Sequence, residues 1–182
     1  YKRDRDTSGR DPLLDFTAPK DDLYLLRVHD FTYAGGVHYP YRLIVTDAPH
    51  IDFIDPPAGP LGTIGTFKIY GRNLPGGSTG EGIRLGLEEL ESIEVEIPLN
   101  HEDALELETG GIYSSLVPGM TWRLELNGRR SNPIRIGFSH FPVIEENEGQ
   151  EQAIQIPSET HARFDSKGDL DQYRFEAKEG QP

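Results

Sequence analysis

The sequence predicts an all-β protein, with a small central sandwich flanked by two incomplete sandwich segments. Two observations carry this expectation. Apolar residues recur at alternate positions in short runs, the period of a strand with one buried face. The 20 glycines and 14 prolines are spread along the whole length, which suits many short strands joined by turns rather than long helices.

In the first segment, residues 1–47, Leu13, Leu14 and Phe16 make a short apolar strand, and Pro19-Lys20-Asp21-Asp22 reads as a turn. Tyr24, Leu26 and Val28 then alternate with Leu25 and Arg27. After a break at Gly35-Gly36, Tyr39, Tyr41, Leu43 and Val45 alternate again. The pattern predicts two antiparallel strands that need a partner sheet, because alone they bury too little apolar surface. Tyr39 and Tyr41 fall on one strand face, so a core role is their default. With Tyr33 they are also candidates for a carbohydrate or protein platform.

The middle segment, residues 48–138, begins at Ala48-Pro49. Ile51, Phe53 and Ile54 lead into the corner Asp55-Pro56-Pro57-Ala58-Gly59. Gly65-Thr66-Phe67-Lys68-Ile69-Tyr70-Gly71 is a strand bounded by glycines, and Asn73-Leu74-Pro75-Gly76-Gly77 is a loop. Ile93, Val95 and Ile97 alternate with Glu94 and Glu96, which predicts a strand with one wet face. Glu102 to Leu107 fits a helical turn or a strand equally. Trp122, Leu124 and Leu126 alternate up to Asn127-Gly128, the strongest short hairpin signal in the chain, and the return strand reaches Ile134 and Ile136. This spacing implies an Ig-like sandwich.

The last segment, residues 139–182, contains Val143 and Ile144 and the polar run Glu145-Glu146-Asn147-Glu148-Gly149-Gln150. Apolar Ala153, Ile154 and Ile156 follow. Phe164 opens another strand before the turn Gly168-Asp169-Leu170-Asp171 and the alternation of Tyr173 and Phe175.

Two resemblances refine this organisation. Pro49-His50-Ile51, the Asp55-Pro56-Pro57-Ala58-Gly59 turn and the strand ending Gly71-Arg72-Asn73-Leu74 resemble the IPT/TIG class of Ig-like domains. In that comparison Gly71 lets the chain bend before Asn73. The flanks resemble bacterial pre-peptidase C-terminal domains, jelly-roll-like β-sandwiches related to collagen-binding domains of secreted collagenases. Gly168-Asp169-Leu170-Asp171-Gln172-Tyr173-Arg174-Phe175 is similar to a strand of that family's first half. Asp11-Pro12-Leu13-Leu14-Asp15-Phe16 and Tyr24-Leu25-Leu26-Arg27-Val28 are similar to its second half. The resemblance implies that residue 1 falls midway through one module and residue 182 midway through the next. The two halves then either meet missing partners or pair with each other, within one chain or between copies.

The family resemblance also implies a calcium site. In the related domains the corresponding loop and turn bind Ca2+, and here they place Glu145, Asn147, Glu148, Asp169 and Asp171 as ligands. Calcium takes several hard oxygen ligands in a flexible loop. The competing reading is an acidic loop that is simply solvated. Glu146 stands where the family has proline.

Other chemistry finds less support. With no cysteine, disulfides, zinc thiolate sites and Cys nucleophiles are excluded. The net charge of -13 with scattered Lys and Arg argues against nucleic acid, and no apolar run reaches membrane-span length. Gly76-Gly77-Ser78-Thr79-Gly80 spells a nucleophile elbow, but a flexible turn fits it better than strand-serine-helix. The six histidines show no two-ligand spacing, and His29 is placed beside Asp30. From Glu81 to Glu108 run ten acids and one Arg84, read as solvated surface or as a cation- or partner-binding face.

The expected function is a non-catalytic structural or interaction module of a larger bacterial protein, placed outside the cell, on its surface or in the periplasm. Its partners are neighbouring domains or copies of the same protein. The alternative is a ligand-targeting region of a secreted hydrolase, stabilised by calcium and directed at extracellular matrix protein or polysaccharide.

Overall fold

The structure is a computed structural model that describes residues 12–85, 88–100, 118–126 and 128–180. The expectation for Glu102 to Leu107 lies outside the described residues. The protein is all-β, and no helix occurs among the described residues. The chain divides between Asp47 and Ala48 into two compact units.

Among the described residues, all the strands lie in the second unit. β1 (His50–Asp55), β3 (Ile64–Arg72) and β6 (Glu91–Pro98) form one antiparallel sheet in the order β1-β3-β6. β2 (Ala58–Pro60), β10 (Ile134–Ser139) and β7 (Gly119–Trp122) form a second, in the order β2-β10-β7. β10 runs antiparallel to β7 but parallel to β2. The Asp55-Pro56-Pro57 corner therefore carries one stretch of chain from the first sheet to the second. Proline suits such a corner because it cannot donate to a ladder.

Alternation explains which side chains go inward. Ile51, Ile54, Phe67, Ile69 and Ile97 from the first sheet meet Met120, Ile136 and Phe138 from the second, with Leu74 and Leu99 completing one apolar cluster. Phe67, Ile69, Ile97 and Ile136 are almost fully sealed from solvent. Burial of each such side chain contributes about 1.5–3 kcal/mol.

β1 is irregular. Its register with β3 shifts between Ile51 and Phe53, which leaves Asp52 as the extra residue of a bulge. Asn132 clamps the same place from the other sheet's connection. Its Oδ1 accepts from the Ile51 amide at 2.7 Å and its Nδ2 donates to the Ile51 carbonyl at 2.8 Å. The bend expected at Gly71 lies instead at Asn73, whose φ is 52°. Gly71 serves a different need: a Cβ there would collide with the His50 backbone carbonyl, so only glycine lets β1 and β3 approach.

The Gly128 hairpin joins β8 (Glu125–Leu126) to β9 (Arg129–Arg130), with Leu126 opposite Arg129 and Gly128 at φ 77°. β4 (Arg84–Leu85) and β5 (Glu88–Glu89) form a second small pair. Beyond β10, β11 (Val143–Glu145) pairs in parallel with β13 (Glu159–His161), and β12 (Gln152–Ala153) with β14 (Tyr173–Arg174). Ser139 Oγ donates to Glu159 Oε1 at 3.1 Å, and Arg163 approaches Asp55 at 3.6 Å, so the last segment is tied to the central sheets by polar contacts.

The first unit differs from the sequence expectation. Its described residues, 12–47, contain no strand, although their apolar alternation predicts two. Alternation reports a preference for extended chain, whereas a ladder also needs a neighbour's amides and carbonyls. Local turns hold it instead. Lys20 pairs with Asp22 at 2.7 Å, and Tyr24 Oη donates to the Lys20 carbonyl at 2.7 Å, so the expected turn at 19–22 is present. Tyr39 and Tyr41 are exposed rather than in a core, as are Leu23, Leu25, Val37 and Val45.

Two substitutions test this packing. Phe67→Ala is expected to cost about 3–5 kcal/mol of unfolding free energy in urea, from lost burial plus a cavity. Asn132→Ala strands two backbone groups of Ile51 and is expected to cost about 1–3 kcal/mol. A change under about 0.5 kcal/mol, the range of surface substitutions, would contradict the clamp.

Candidate functional site

The last segment brings carboxylates together around the loop after β11 and the turn before β14. Asp169 builds that turn: its Oδ2 accepts from the Asp165 amide at 2.7 Å and its Oδ1 from the Leu170 amide at 2.9 Å. Gly168, at φ 88°, makes the reversal. Glu146 Oε2 accepts from the Arg163 amide at 3.1 Å, and the Tyr173 hydroxyl reaches Glu146 Oε1 at 3.5 Å. These bonds hold Glu146, Glu148, Asp165, Asp169 and Asp171 within one electrostatic environment.

Their mutual repulsion is visible in their proton affinities. Loss of solvent, then the negative charges of Asp165, Glu146 and Asp169, raises Glu148 from its ordinary value. Asp171 is pushed up by its hydrogen bond with Glu146, then by loss of solvent and the charges of Glu146, Asp169 and Asp165. Asp165 is lowered, because Arg163 Nε donates to its Oδ1 at 2.6 Å.

Of the five residues that the family resemblance implies, Glu148, Asp169 and Asp171 share this environment. Glu145 and Asn147 enter through backbone groups: Gln152 Nε2 donates to the Glu145 carbonyl at 2.8 Å, and the Asn147 amide donates to Gln152 Oε1 at 3.0 Å. Glu146 and Asp165 were missed. Glu146 stands where the family motif has proline, and Asp165 lies three residues ahead of the Gly168–Asp171 turn, outside that motif. The donors are hard oxygens of the kind calcium takes. They face one another in pairs, Glu146 with Asp171 and Glu148 with Asp165. Among the described residues no three His, Cys, Asp or Glu side chains gather closely enough to hold a metal ion.

The remaining candidates find other roles. Ser78 lies in an isolated bridge to Ser92, with no helix after it, so the Gly76–Gly80 stretch is a turn. Three acids of the 81–108 stretch anchor that loop. Glu81 binds Lys68 at 2.5 Å, Ser92 at 2.9 Å and Tyr70 at 3.1 Å; Glu89 accepts from the Gly80 amide and Glu91 from the Leu74 amide at 2.6 Å. The Lys68 ammonium first, then Ser92, holds Glu81 below its ordinary value.

Two histidines lie deeper than an isolated surface residue would. His161 is buried, with Nε2 3.2 Å from Glu159 Oε1. His50 stands 3.9 Å from Asp52, which lies 3.4 Å from Arg72 without hydrogen-bond geometry to its Nη1. Burial lowers the His50 proton affinity, Asp52 opposing and Arg72 reinforcing it. His29 Nδ1 meets the Asp30 backbone carbonyl at 2.9 Å, not its carboxylate. No protein-family model, no curated protein and no solved structure matches the chain.

The carboxylate cluster has a testable pH signature. A carboxyl whose folded pKa is raised binds more protons folded than unfolded, so stability falls as pH rises through that raised value. Glu148→Gln is therefore expected to melt higher than wild type at pH 7 without added metal. The gap should close below about 4.5, the ordinary glutamate value. A variant that melts lower at pH 7 would contradict the repulsion.

Proposed function

We propose that the chain is a non-catalytic structural and interaction module of a larger extracytoplasmic bacterial protein. On this reading an IPT/TIG-like Ig domain spans 48–138, with pre-peptidase C-terminal-like half-sandwiches at 1–47 and 139–182. The observation that carries it is the surface of residues 12–47, where Leu23 and Val37 are 97% and 91% exposed with no ladder beside them. Apolar surface of that kind marks a place for contact with another polypeptide. Neighbouring domains or copies of the same protein cover it.

Sedimentation velocity tests this. Association that rises with concentration is expected, and it should disappear when Leu25 and Val37 are both replaced by Lys, with the melting of the Ala48–Pro182 unit unchanged. A chain that stays monomeric up to high concentration, or that turns over ester, peptide or glycoside substrates, would contradict the proposal.

A second reading is a ligand-targeting region of a secreted hydrolase, stabilised by calcium. The facing carboxylate pairs Glu146–Asp171 and Glu148–Asp165 favour it, because a divalent cation would draw these hard oxygens together and relieve their repulsion. Calorimetric titration with calcium is expected to give heat and a raised melting temperature, both weakened by Asp171→Asn. No heat and no stabilisation would remove the site.

A further inference from the structure

Among the described residues β6 has a ladder neighbour on one side only, β3. In an antiparallel ladder a residue points its N–H and C=O to the same side, and the side alternates along the strand. The Ser92 amide and carbonyl both turn away from β3, to Ser78, at 3.0 and 3.3 Å. The backbone groups of Glu94 and Glu96 therefore turn outward as well, and no described residue bonds them. At the opposite edge of the sheet, on β1, Asn132 already takes both backbone groups of Ile51.

The side chains along the open edge set what fits there. Ile93 and Val95 pack on the apolar cluster yet stay only half-buried. Glu94 and Glu96 stand exposed on the wet face, and Glu96 makes no hydrogen bond or ion pair with any described residue. The edge thus calls for a strand that is apolar on one face and cationic on the other. Two β6 edges do not satisfy each other, because glutamates would face glutamates.

Residues 41–45 have the required pattern. They lie in no ladder or turn, and Tyr41, Leu43 and Val45, on one face of an extended chain, are 75%, 51% and 79% exposed. Arg42 falls on the other face and makes no hydrogen bond or ion pair with any described residue. We infer that residues 41–45 of one copy add to the β6 edge of a second copy as an antiparallel strand, with Arg42 opposite Glu96 and Ile44 opposite Glu94. This register lets both pairs exchange ladder bonds and sets Leu43 against Val95 and Val45 against Ile93. A slip of one residue would turn the apolar side chains to the wet face. A slip of two would put Pro40, which has no amide, opposite Glu96, and Ile44 opposite Ser92, whose groups Ser78 holds. Each copy carries both the strand and the edge, so copies suffice. The inference rests on the interaction-module reading and names the surface that covers these residues.

Sedimentation velocity of full-chain charge variants tests it. Arg42→Glu alone, and Glu94→Lys with Glu96→Lys, are each expected to weaken self-association about tenfold or more, by placing like charges side by side. A mixture of the two variants should associate nearly as wild type does, because each strand then meets an edge of opposite charge. Ile44→Pro should weaken association too: it removes an amide that only the proposed ladder uses, in a segment that has no ladder to lose. Variants that associate as tightly as wild type, or a mixture no tighter than its components, overturn the edge and leave the interaction module standing. A wild-type chain that stays monomeric at every concentration overturns both.

Discussion

Chain continuity across the Asp55-Pro56-Pro57 corner is the constraint on which the rest of this structure depends. β1 is laid antiparallel on β3 up to Asp55, and from Ala58 the same chain is laid parallel on β10. Among the described residues each sheet has three strands, and a sheet that small needs a second layer to bury its apolar face. The corner fixes the two layers against each other, and Phe67, Ile69, Ile97 and Ile136 fill the space between. Asn132 closes the arrangement from the opposite side by binding the backbone of Ile51. The carboxyl-terminal strands then rest on this body through Ser139 with Glu159 and Arg163 with Asp55.

Acidic side chains do much of the remaining structural work. Glu81, Glu89 and Glu91 tether one loop, Asp30 builds one turn and Asp169 another. A carboxylate accepts several hydrogen bonds at once, so it can satisfy amides that no ladder reaches. The cost is crowding of like charge where several such acids meet, around Glu148 and Asp171. The chain thus combines an apolar cluster between its two central sheets, a buried Arg72–Asp52 contact, and a surface whose charge is partly committed to holding loops in place.

The strands of the central sheets were legible in the sequence wherever one face is buried and the other wet, as at Ile93, Val95 and Ile97. The hairpin at Gly128 was legible from its turn chemistry. Features set by partners distant in sequence were not: the bulge at Asp52, the parallel pairing of β2 with β10, and the Asn132 clamp across 81 residues. At residues 12–47 the pattern misled, because alternation records a preference for extension without supplying the strand that would complete it. In the carboxylate cluster, comparison by motif found Glu148, Asp169 and Asp171. Glu146 escaped because its place is fixed by a bond to Arg163, distant in sequence, and Asp165 because its local bond to Asp169 lies outside the motif.

The most direct measurement is native-state hydrogen exchange of the dilute chain, resolved by residue. Strong protection is expected along β1, β3, β6 and β10, where ladder bonds surround the apolar core. Amides of residues 12–47 should exchange near solvent rates and slow only as concentration rises and neighbours cover them. Firm protection of 12–47 in the isolated monomer would mean that this segment completes its own fold, and a surface held ready for contact would no longer describe it.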